Sequence, residues 1–256
     1  MKQVLLLHGF LGAPESWDAV VQACGSAPLI VAPALVGHGD EAQAVPPDAV
    51  LGPLGQLSFS DEVARLVNQA RATGFTGGTV CGYSLGGRLA LGLALAAPEL
   101  VTQLVVISAH PGLAEPLERA QRAQDDDALA AQIERDGLAA FVRDWERQAL
   151  FRTQSELPEP VLAAQRRIRL GHAPWRVAGA LRQLSLGRMP DFGPRLHELA
   201  MPVRWVAGAE DAKFRALALR MHGAVAHSTI EVIPGCGHNP LLESPRRVAQ
   251  LIQTVL

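Results

Sequence analysis

The sequence predicts a doubly wound α/β domain, in which helices cover both faces of a mostly parallel sheet. Short apolar runs alternate with longer helical patterns along the chain. Most of these runs are continuously apolar, which is typical of strands that are buried on both faces. The 256 residues, 48% of them hydrophobic, are enough for one large domain with a substantial core.

Six apolar runs are interpreted as the strands of this sheet. They span residues 3–8, 29–34, 78–83, 104–109, 203–208 and 229–234. Two helices carry end signals: one starts at Ser60 and stops at Gly74, and the last has Pro245 in its first turn. The proline-rich residues 40–57 are interpreted as a loop.

Between about Gly112 and Pro190 the strand signals vanish, and amphipathic helical patterns rich in Ala, Leu, Gln and Arg take their place. This segment separates a strand that ends near Ala109 from one that begins near Val203. We therefore expect residues 112–190 to form a helical lid on a core made of residues 1–111 and 191–256.

Net charge and the length of the apolar stretches indicate which kind of ligand and which location to expect. The formal net charge of −2 gives no basic field, so the sequence favours a small ligand over nucleic acid. No apolar stretch is long enough for a membrane span, and the first apolar run is too short for a signal peptide, so we expect a cytoplasmic location. Nothing in the sequence indicates an oligomeric state.

The cysteines and histidines do not form a metal-ligand pattern, so neither a metal nor another cofactor is expected. Cys24, Cys81 and Cys236 are too scattered for a disulfide framework or a zinc site. They are interpreted as reduced packing residues, and a thiol role for Cys236, two residues before His238, is the alternative.

The stretch Gly82-Tyr83-Ser84-Leu85-Gly86 fits the G-x-S-x-G pattern, in which a nucleophilic serine lies on a tight turn between a strand and a helix. A predicted strand precedes it and a helical pattern follows. Ser84 is therefore the candidate nucleophile.

An acid and a histidine follow Ser84 in the chain order of an α/β-hydrolase triad. Asp211 comes directly after a predicted strand, with Glu210 as its local rival, and His238 lies in a loop before the last helix. His238 would accept the serine proton while Asp211 orients the imidazole. The alternative for His238 is an ordinary surface histidine.

An oxyanion hole is expected where the first strand ends, at His8-Gly9-Phe10. Its donors would be the backbone amides of Phe10 and Leu85. His8 would shape this loop, or serve as a structural residue whose ring is bonded to the backbone.

Arg88 is unusual because it lies near the start of an apolar helix, where a cation opposes the macrodipole by about 0.3–1 kcal/mol. Four residues after Ser84, it would share the helical face of the serine and reach the same cavity. Arg88 is thus predicted to bind an anionic ligand, with an ion pair to a lid carboxylate as the alternative.

Further segments carry a resemblance over nearly the whole chain: HGFLG, GYSLGGR, HPGL, the Asp-Trp pair of the insertion, D-x-K-F after the acid, and GCGHNPLLESP. Together they resemble the 2-succinyl-6-hydroxy-2,4-cyclohexadiene-1-carboxylate synthases of menaquinone biosynthesis, which are members of the α/β-hydrolase superfamily. The resemblance implies a carbon–oxygen lyase that eliminates pyruvate from 2-succinyl-5-enolpyruvyl-6-hydroxy-3-cyclohexene-1-carboxylate, without a cofactor.

The same resemblance assigns roles to individual residues. Ser84, Asp211 and His238 would form the triad, and either Ser84 or His238 would take the ring proton directly. Phe10 and Leu85 would be the oxyanion donors. The polycarboxylate substrate would contact Tyr83, Arg88, Arg122, Trp145 and Arg166, with the adjacent Arg167 and Arg169 as alternatives to Arg166.

Two other functions fit the same fold. A carboxylesterase or a hydrolase of carbon–carbon bonds would use the same triad. A non-catalytic ligand-binding protein is the third possibility, and the complete set of triad residues counts against it.

Overall fold

The computed structural model describes residues 3–25, 29–39 and 57–253, and its described part contains a six-stranded sheet. The strands are β1 (Gln3–Leu7), β2 (Leu29–Val31), β3 (Gly78–Tyr83), β4 (Val101–Ile107), β5 (Val203–Gly208) and β6 (Ser228–Ile233). Their order in the sheet is β2-β1-β3-β4-β5-β6, and all neighbouring strands are parallel. The predicted α/β fold is confirmed.

All six predicted strands are present, and the bounds of two of them, β2 and β4, differ from the prediction by more than one residue. β2 ends at Val31 instead of residue 34. It lies at the edge of the sheet, and Pro33, which has no amide hydrogen, cannot extend its pairing with β1. β4 starts at Val101, three residues before its predicted start, since Val101 pairs with Gly78 before an irregularity in the register.

Helices cover both faces of the sheet. The helices outside the insertion are α1 (Asp18–Cys24), α2 (Phe59–Ala72), α3 (Leu85–Ala96), α8 (Ala212–His222), α9 (Pro240–Glu243) and α10 (Pro245–Gln253). The side chains of α2, α3 and α8 pack on one face with Leu5 and Leu7, and those of α1 and α10 pack on the other with Val4 and Leu6. Short 3-10 turns span Pro14–Trp17, Pro98–Leu100, Ala149–Glu156 and Gly193–Glu198.

The start of α2 was predicted wrongly at Ser60. The capping residue is Ser58, whose Oγ accepts a hydrogen bond from the Asp61 amide at 3.2 Å, while the Asp61 carboxylate accepts one from the Ser58 amide at 2.8 Å. This reciprocal capping requires an acceptor three residues after the cap, and Ser60 has Val63 there. The predicted stop at Gly74 is present, with φ of 82°.

Helices α4 (Pro116–Asp136), α5 (Leu138–Trp145), α6 (Glu159–Leu170) and α7 (Pro174–Gln183) lie between β4 and β5 in the chain. They build a small core of their own, in which Ile133, Phe141 and Val177 pack together. Leu11, from the loop after β1, joins this core and connects the inserted helices to the sheet.

Two sequence predictions fall wholly or partly on residues that the structure does not describe. The proline-rich loop predicted at 40–57 has only Leu57 within the described residues, and the last three residues of the predicted final helix also lie outside them. Among the described helices, none combines the length and the apolar character needed to cross a membrane.

Candidate active site

Ser84 lies on a sharp turn between β3 and α3, with φ of 52°, a conformation that costs a non-glycine residue energy. The turn depends on close backbone contact on both sides. A Cβ atom at Gly82 would collide with the Gly86 carbonyl group, and one at Gly86 would collide with the carbonyl groups of Leu7 and His8. These two glycines let the serine project from the end of the sheet.

Ser84, His238 and Asp211 form a continuous hydrogen-bonded chain. The Ser84 Oγ lies 3.2 Å from His238 Nε2, and His238 Nδ1 lies 2.7 Å from Asp211 Oδ2. The three residues follow β3, β6 and β5, whose carboxyl ends meet at one edge of the parallel sheet. With Nδ1–H donating to Asp211, Nε2 is free to accept the serine proton.

Glu210, the rival acid, makes no hydrogen bond to Ser84 or His238. Its carboxylate is half exposed and lies 4.0 Å from the Arg152 guanidinium. Asp211 is buried against His238 and also accepts a long 3.4 Å hydrogen bond from the Phe214 amide at the start of α8. Burial and the short hydrogen bond make Asp211, not Glu210, the partner of the imidazole.

Aromatic rings surround the His238 imidazole and exclude water from it. The centroids of Phe214, Tyr83 and Phe151 lie 4.5, 5.5 and 6.1 Å from that of His238. The sequence pointed to Tyr83 but missed Phe214 and Phe151. Phe214 belongs to the D-x-K-F motif and could have been found there, whereas no local pattern marks Phe151.

Phe10 and Leu85 line the same cavity as Ser84. Within the described residues, neither of their backbone amides donates a hydrogen bond to a protein acceptor. Phe10 follows β1 and Leu85 follows β3, the neighbouring strands at which the strand order reverses. Doubly wound sheets bind ligands at such a switch point, because the connections on either side diverge.

Three buried histidines hold the loop that carries Phe10. The Leu35 amide donates to His8 Nε2 at 3.2 Å, the Leu11 amide donates to His38 Nε2 at 3.1 Å, and the rings of His38 and His172 pack edge to face. The His8 ring is therefore hydrogen-bonded to the backbone, as in the second of the two roles predicted for this residue. Burial lowers the pKa of His8 to about 4 and also lowers the pKa of His38 and His172, so all three rings are neutral at pH 7.

The cavity beside Ser84 has a volume of about 410 Å³. Its walls come from the sheet core and from the inserted helices. The predicted site residues that line it are Phe10, Tyr83, Ser84, Leu85, Arg88, Arg122, Trp145 and His238.

Arg88 is a partly buried cation without a carboxylate at ion-pair distance among the described residues. Its Nη1 donates to the Leu184 carbonyl at 2.8 Å and contacts Met189 Sδ at 3.6 Å. Burial, reinforced by the charge of Arg122 and partly opposed by that of Asp126, lowers the pKa of Arg88 to about 10, so the guanidinium stays charged at pH 7. The predicted alternative, an ion pair with a lid carboxylate, is absent from the described residues.

Arg122 enters the cavity from α4 with one edge of its guanidinium engaged. Its Nε donates to both oxygens of Asp126 at 3.0 Å. Asp126 is buried and also accepts a hydrogen bond from Ser185 Oγ at 2.7 Å. This arrangement fixes the Arg122 side chain, while both terminal nitrogens remain without a described protein acceptor.

Arg166 lies away from the Ser84 cavity. It is half exposed and its Nη2 pairs with Glu146 Oε2 at 2.6 Å. Arg169, one helical turn later, is buried with 6% of its side chain exposed, pairs with Glu146 Oε1 at 3.0 Å and lies over the Phe151 ring. Arg169 lines an adjoining cavity that Tyr83 and Trp145 also border.

The D-x-K-F motif supplies a further cation, since Lys213 lines the Ser84 cavity together with His110. Burial, followed by the charge of Lys213, lowers the pKa of His110 to about 4, so His110 is neutral at pH 7. Ser108, with φ of 48°, places a buried hydroxyl there that finds no hydrogen-bond partner among the described residues. Sequence reasoning did not single out these three residues as site residues.

The described residues contain no group of three or more His, Cys, Asp or Glu side chains that could hold a metal ion. Cys24, Cys81 and Cys236 are buried and unpaired. Burial and the neighbouring Glu243 raise the pKa of the Cys236 thiol to about 12, so it is protonated and suited to packing, not to nucleophilic attack.

Comparison with known proteins gives relatives over the whole length of the chain. Residues 4–251 match the model of the alpha/beta hydrolase family. A protein of Bacillus subtilis (strain 168) described as a putative 2-succinyl-6-hydroxy-2,4-cyclohexadiene-1-carboxylate synthase is 34% identical over 99% of this chain and 89% of its own. The synthase of that name from Serratia proteamaculans (strain 568) is 31% identical over 99% of this chain and 92% of its own.

Solved structures agree with these relatives. The structure of MenH from S. aureus superposes with a TM-score of 0.90 at 29% identity and covers 100% of this chain and 93% of that one. A thermophilic esterase from Thermogutta terrifontis shares the fold, with a TM-score of 0.83 at 24% identity over 99% of this chain and 89% of its own. The chain therefore belongs to the alpha/beta hydrolase family and, within it, to the 2-succinyl-6-hydroxy-2,4-cyclohexadiene-1-carboxylate synthases.

Proposed function

We propose that this protein eliminates pyruvate from 2-succinyl-5-enolpyruvyl-6-hydroxy-3-cyclohexene-1-carboxylate to give 2-succinyl-6-hydroxy-2,4-cyclohexadiene-1-carboxylate. One observation carries the proposal. The Ser84–His238–Asp211 chain opens into a cavity whose partly buried cation, Arg88, has no carboxylate at ion-pair distance among the described residues. An enzyme that hydrolyses simple esters needs no such cation, whereas an enzyme that binds a substrate with three carboxylates does.

The proposed elimination balances without a cofactor. A base removes the proton from the ring carbon that bears the succinyl group, and this electron pair forms the first ring double bond. The existing double bond moves one position along the ring, and the carbon–oxygen bond to the enolpyruvyl group breaks. The leaving enolate takes up a proton and becomes pyruvate.

The triad supplies the base in this proposal. Ser84 is unreactive at neutral pH unless His238 accepts its proton, and the buried Asp211 carboxylate stabilises the imidazolium that forms. The proton is removed next to the succinyl ketone, so negative charge develops on that carbonyl oxygen. The amides of Phe10 and Leu85 are suited to stabilise this charge.

Cations around the cavity are proposed to bind the carboxylates. Arg88 and the free edge of Arg122 face the cavity beside Ser84, and a planar guanidinium binds a carboxylate through two parallel hydrogen bonds. Arg169 is proposed in place of Arg166, because Arg169 is buried next to Tyr83 and Trp145 whereas Arg166 is half exposed.

The inserted helices are proposed to act as the lid of this site. Arg122 of α4, Trp145 of α5 and Leu184 after α7 all line the cavity, so the inserted segment contributes one of its walls. The cytoplasmic location stays a prediction of the sequence.

The test supplies the enolpyruvyl substrate and an aryl ester in parallel to the wild-type protein and to Ser84→Ala. We expect the wild-type protein to release pyruvate far faster than it hydrolyses the ester. Removal of the triad serine is expected to lower the rate of pyruvate release by about 10³-fold or more. Ester hydrolysis in excess of pyruvate release, or an unchanged rate in Ser84→Ala, would contradict the proposal.

A further inference from the structure

We propose that Glu243 is a positioning residue for His238, and that it fixes the main chain on both sides of the imidazole while Asp211 fixes the ring. The inference rests on the proposed role of His238 in the function above. It concerns a carboxylate outside the three residues of the triad.

The Glu243 carboxylate holds the two residues that flank His238. The Gly237 amide donates to Glu243 Oε2 at 2.6 Å, and the Asn239 amide donates to Glu243 Oε1 at 3.0 Å. Each oxygen of one side chain thus accepts one amide, and hydrogen bonds to a charged carboxylate are among the strong ones. Together they fix the peptide groups before and after His238, which set where its side chain starts.

Glu243 is itself held at a fixed distance from this loop. It ends α9, and its own amide donates to the Asn239 carbonyl at 3.0 Å. Leu241 of the same helix is 2% exposed and packs in the core together with Val248 of α10. The carboxylate is therefore anchored from behind by buried apolar contacts.

The loop around His238 leaves little room for another arrangement. A Cβ atom at Gly237 would collide with Thr153 Oγ1, and one at Gly208 would collide with the carbonyl groups of Cys236 and Gly237. The Glu210 amide donates to the Cys236 carbonyl at 2.9 Å and joins this loop to the one that carries Asp211. Glu243 completes this set of restraints on the carboxyl side of the loop.

The catalytic need for such a restraint follows from the geometry of the triad. The Ser84 Oγ to His238 Nε2 distance is 3.2 Å, at the long end of a useful hydrogen bond. Misplacement of a reacting group by about 1 Å can lower a rate by about 100-fold. A loop that moved away from Ser84 would therefore lower kcat while leaving the substrate-binding cations in place.

The decisive variant is Glu243→Gln, which keeps the size of the side chain. An amide keeps one acceptor oxygen, but its nitrogen cannot accept a hydrogen bond from a backbone N–H. Either Gly237 or Asn239 then loses its partner. The matched control is Glu231→Gln, a nearby carboxylate that pairs with Arg247 of α10 and does not contact the triad.

Steady-state kinetics of pyruvate release, with thermal unfolding, would be measured for both variants. We expect Glu243→Gln to lower kcat by about 10- to 100-fold with KM within about twofold of wild type. Its acid limb in the kcat/KM profile should move to lower pH, because a weaker contact with Asp211 stabilises the imidazolium less. Glu231→Gln should match the wild type in kcat, in KM and in the position of the acid limb.

An NMR signature separates positioning from a general loss of structure. The His238 Nδ1 proton shared with Asp211 is expected far downfield in the wild-type protein and in Glu231→Gln, and shifted upfield in Glu243→Gln. If Glu243→Gln did not fold, the shorter Glu243→Asp would be compared in the same way. An unchanged kcat, or a lower kcat with an unchanged proton resonance and acid limb, would overturn the inference.

One further variant distinguishes this inference from the proposed function. His238→Ala is expected to abolish pyruvate release. Wild-type rates in His238→Ala would show that the proposed function of the triad is wrong. Activity lost in His238→Ala but retained in Glu243→Gln would overturn the positioning role alone.

Discussion

The Arg88 guanidinium donates a hydrogen bond to the Leu184 carbonyl oxygen, 2.8 Å away and 96 residues further along the chain. This contact joins the helix that follows the nucleophilic turn to the segment that follows the inserted helices. Arg88 is partly buried, and one carbonyl group offsets only part of the cost of removing a full positive charge from water. The positive charge of Arg88 is therefore not neutralised by this contact, and an anionic ligand in the cavity can pair with it.

Replacement of Arg88 by methionine tests whether its charge binds a substrate carboxylate. Methionine keeps much of the volume and removes the charge, so we expect Arg88→Met to raise KM by about 10- to 100-fold, the loss of one charged hydrogen-bonded contact. KM and kcat for pyruvate release would be measured beside Arg195→Met, an exposed arginine paired with Glu198. Equal KM values in the two variants would rule out Arg88 as a carboxylate contact.

The choice between the two neighbouring acids is tested by amide substitutions. Asp211→Asn keeps the shape of the side chain but reverses its hydrogen bond to His238 Nδ1, which favours the wrong tautomer. We expect kcat to fall by about 10⁴-fold. Glu210→Gln, on the half-exposed rival, should leave kcat within about twofold of wild type. A larger loss in Glu210→Gln than in Asp211→Asn would reverse the assignment.

The two arginines that share Glu146 are separated by glutamine substitutions. Arg169→Gln removes the buried member beside Phe151 and is expected to raise KM by about tenfold or more. Arg166→Gln removes the half-exposed member, whose ion pair contributes at most about 1 kcal/mol, and KM should stay within about twofold. Both variants leave Glu146 with one arginine. A KM that rises only in Arg166→Gln would restore Arg166 as the substrate contact.

The buried neutral histidines predict that the fold loses stability in mild acid. His8 titrates near 6.5 when exposed, and burial lowers its pKa to about 4, so between these values the unfolded chain binds a proton that the folded chain does not. The stability is full above about pH 6.5 and falls as the pH drops toward 4. His8 alone accounts for about 2 kcal/mol between about pH 7.5 and 5.

Urea unfolding at these two pH values would measure the change. The control is His227→Asn, which removes an exposed histidine and leaves His8, His38 and His172 in place. A free energy of unfolding that stayed constant across this range would show that His8, His38 and His172 do not act in this way.

The sequence alone determined the α/β architecture and the order of the candidate triad residues along the chain. The apolar runs of β1, β3 and β5 and the glycines around Ser84 are local signals, because burial on both faces and a tight turn each impose a pattern on neighbouring residues. The placement of Asp211 and His238 near Ser84 was predictable for the same reason, since each lies in a loop that follows a strand of a parallel sheet. The cap of α2 was missed at Ser58 because the sequence also offers Ser60.

Tertiary structure decided which of several equivalent side chains reaches the site. Asp211 and Glu210 are adjacent in sequence, and Arg166 and Arg169 lie one turn apart, yet only one of each pair is buried beside the aromatic rings. Glu243 was not singled out at all, because its contacts with Gly237 and Asn239 depend on how α9 folds back on the loop. Local periodicity fixes which face of an element is apolar, whereas the distances between side chains on different elements are set only when those elements pack.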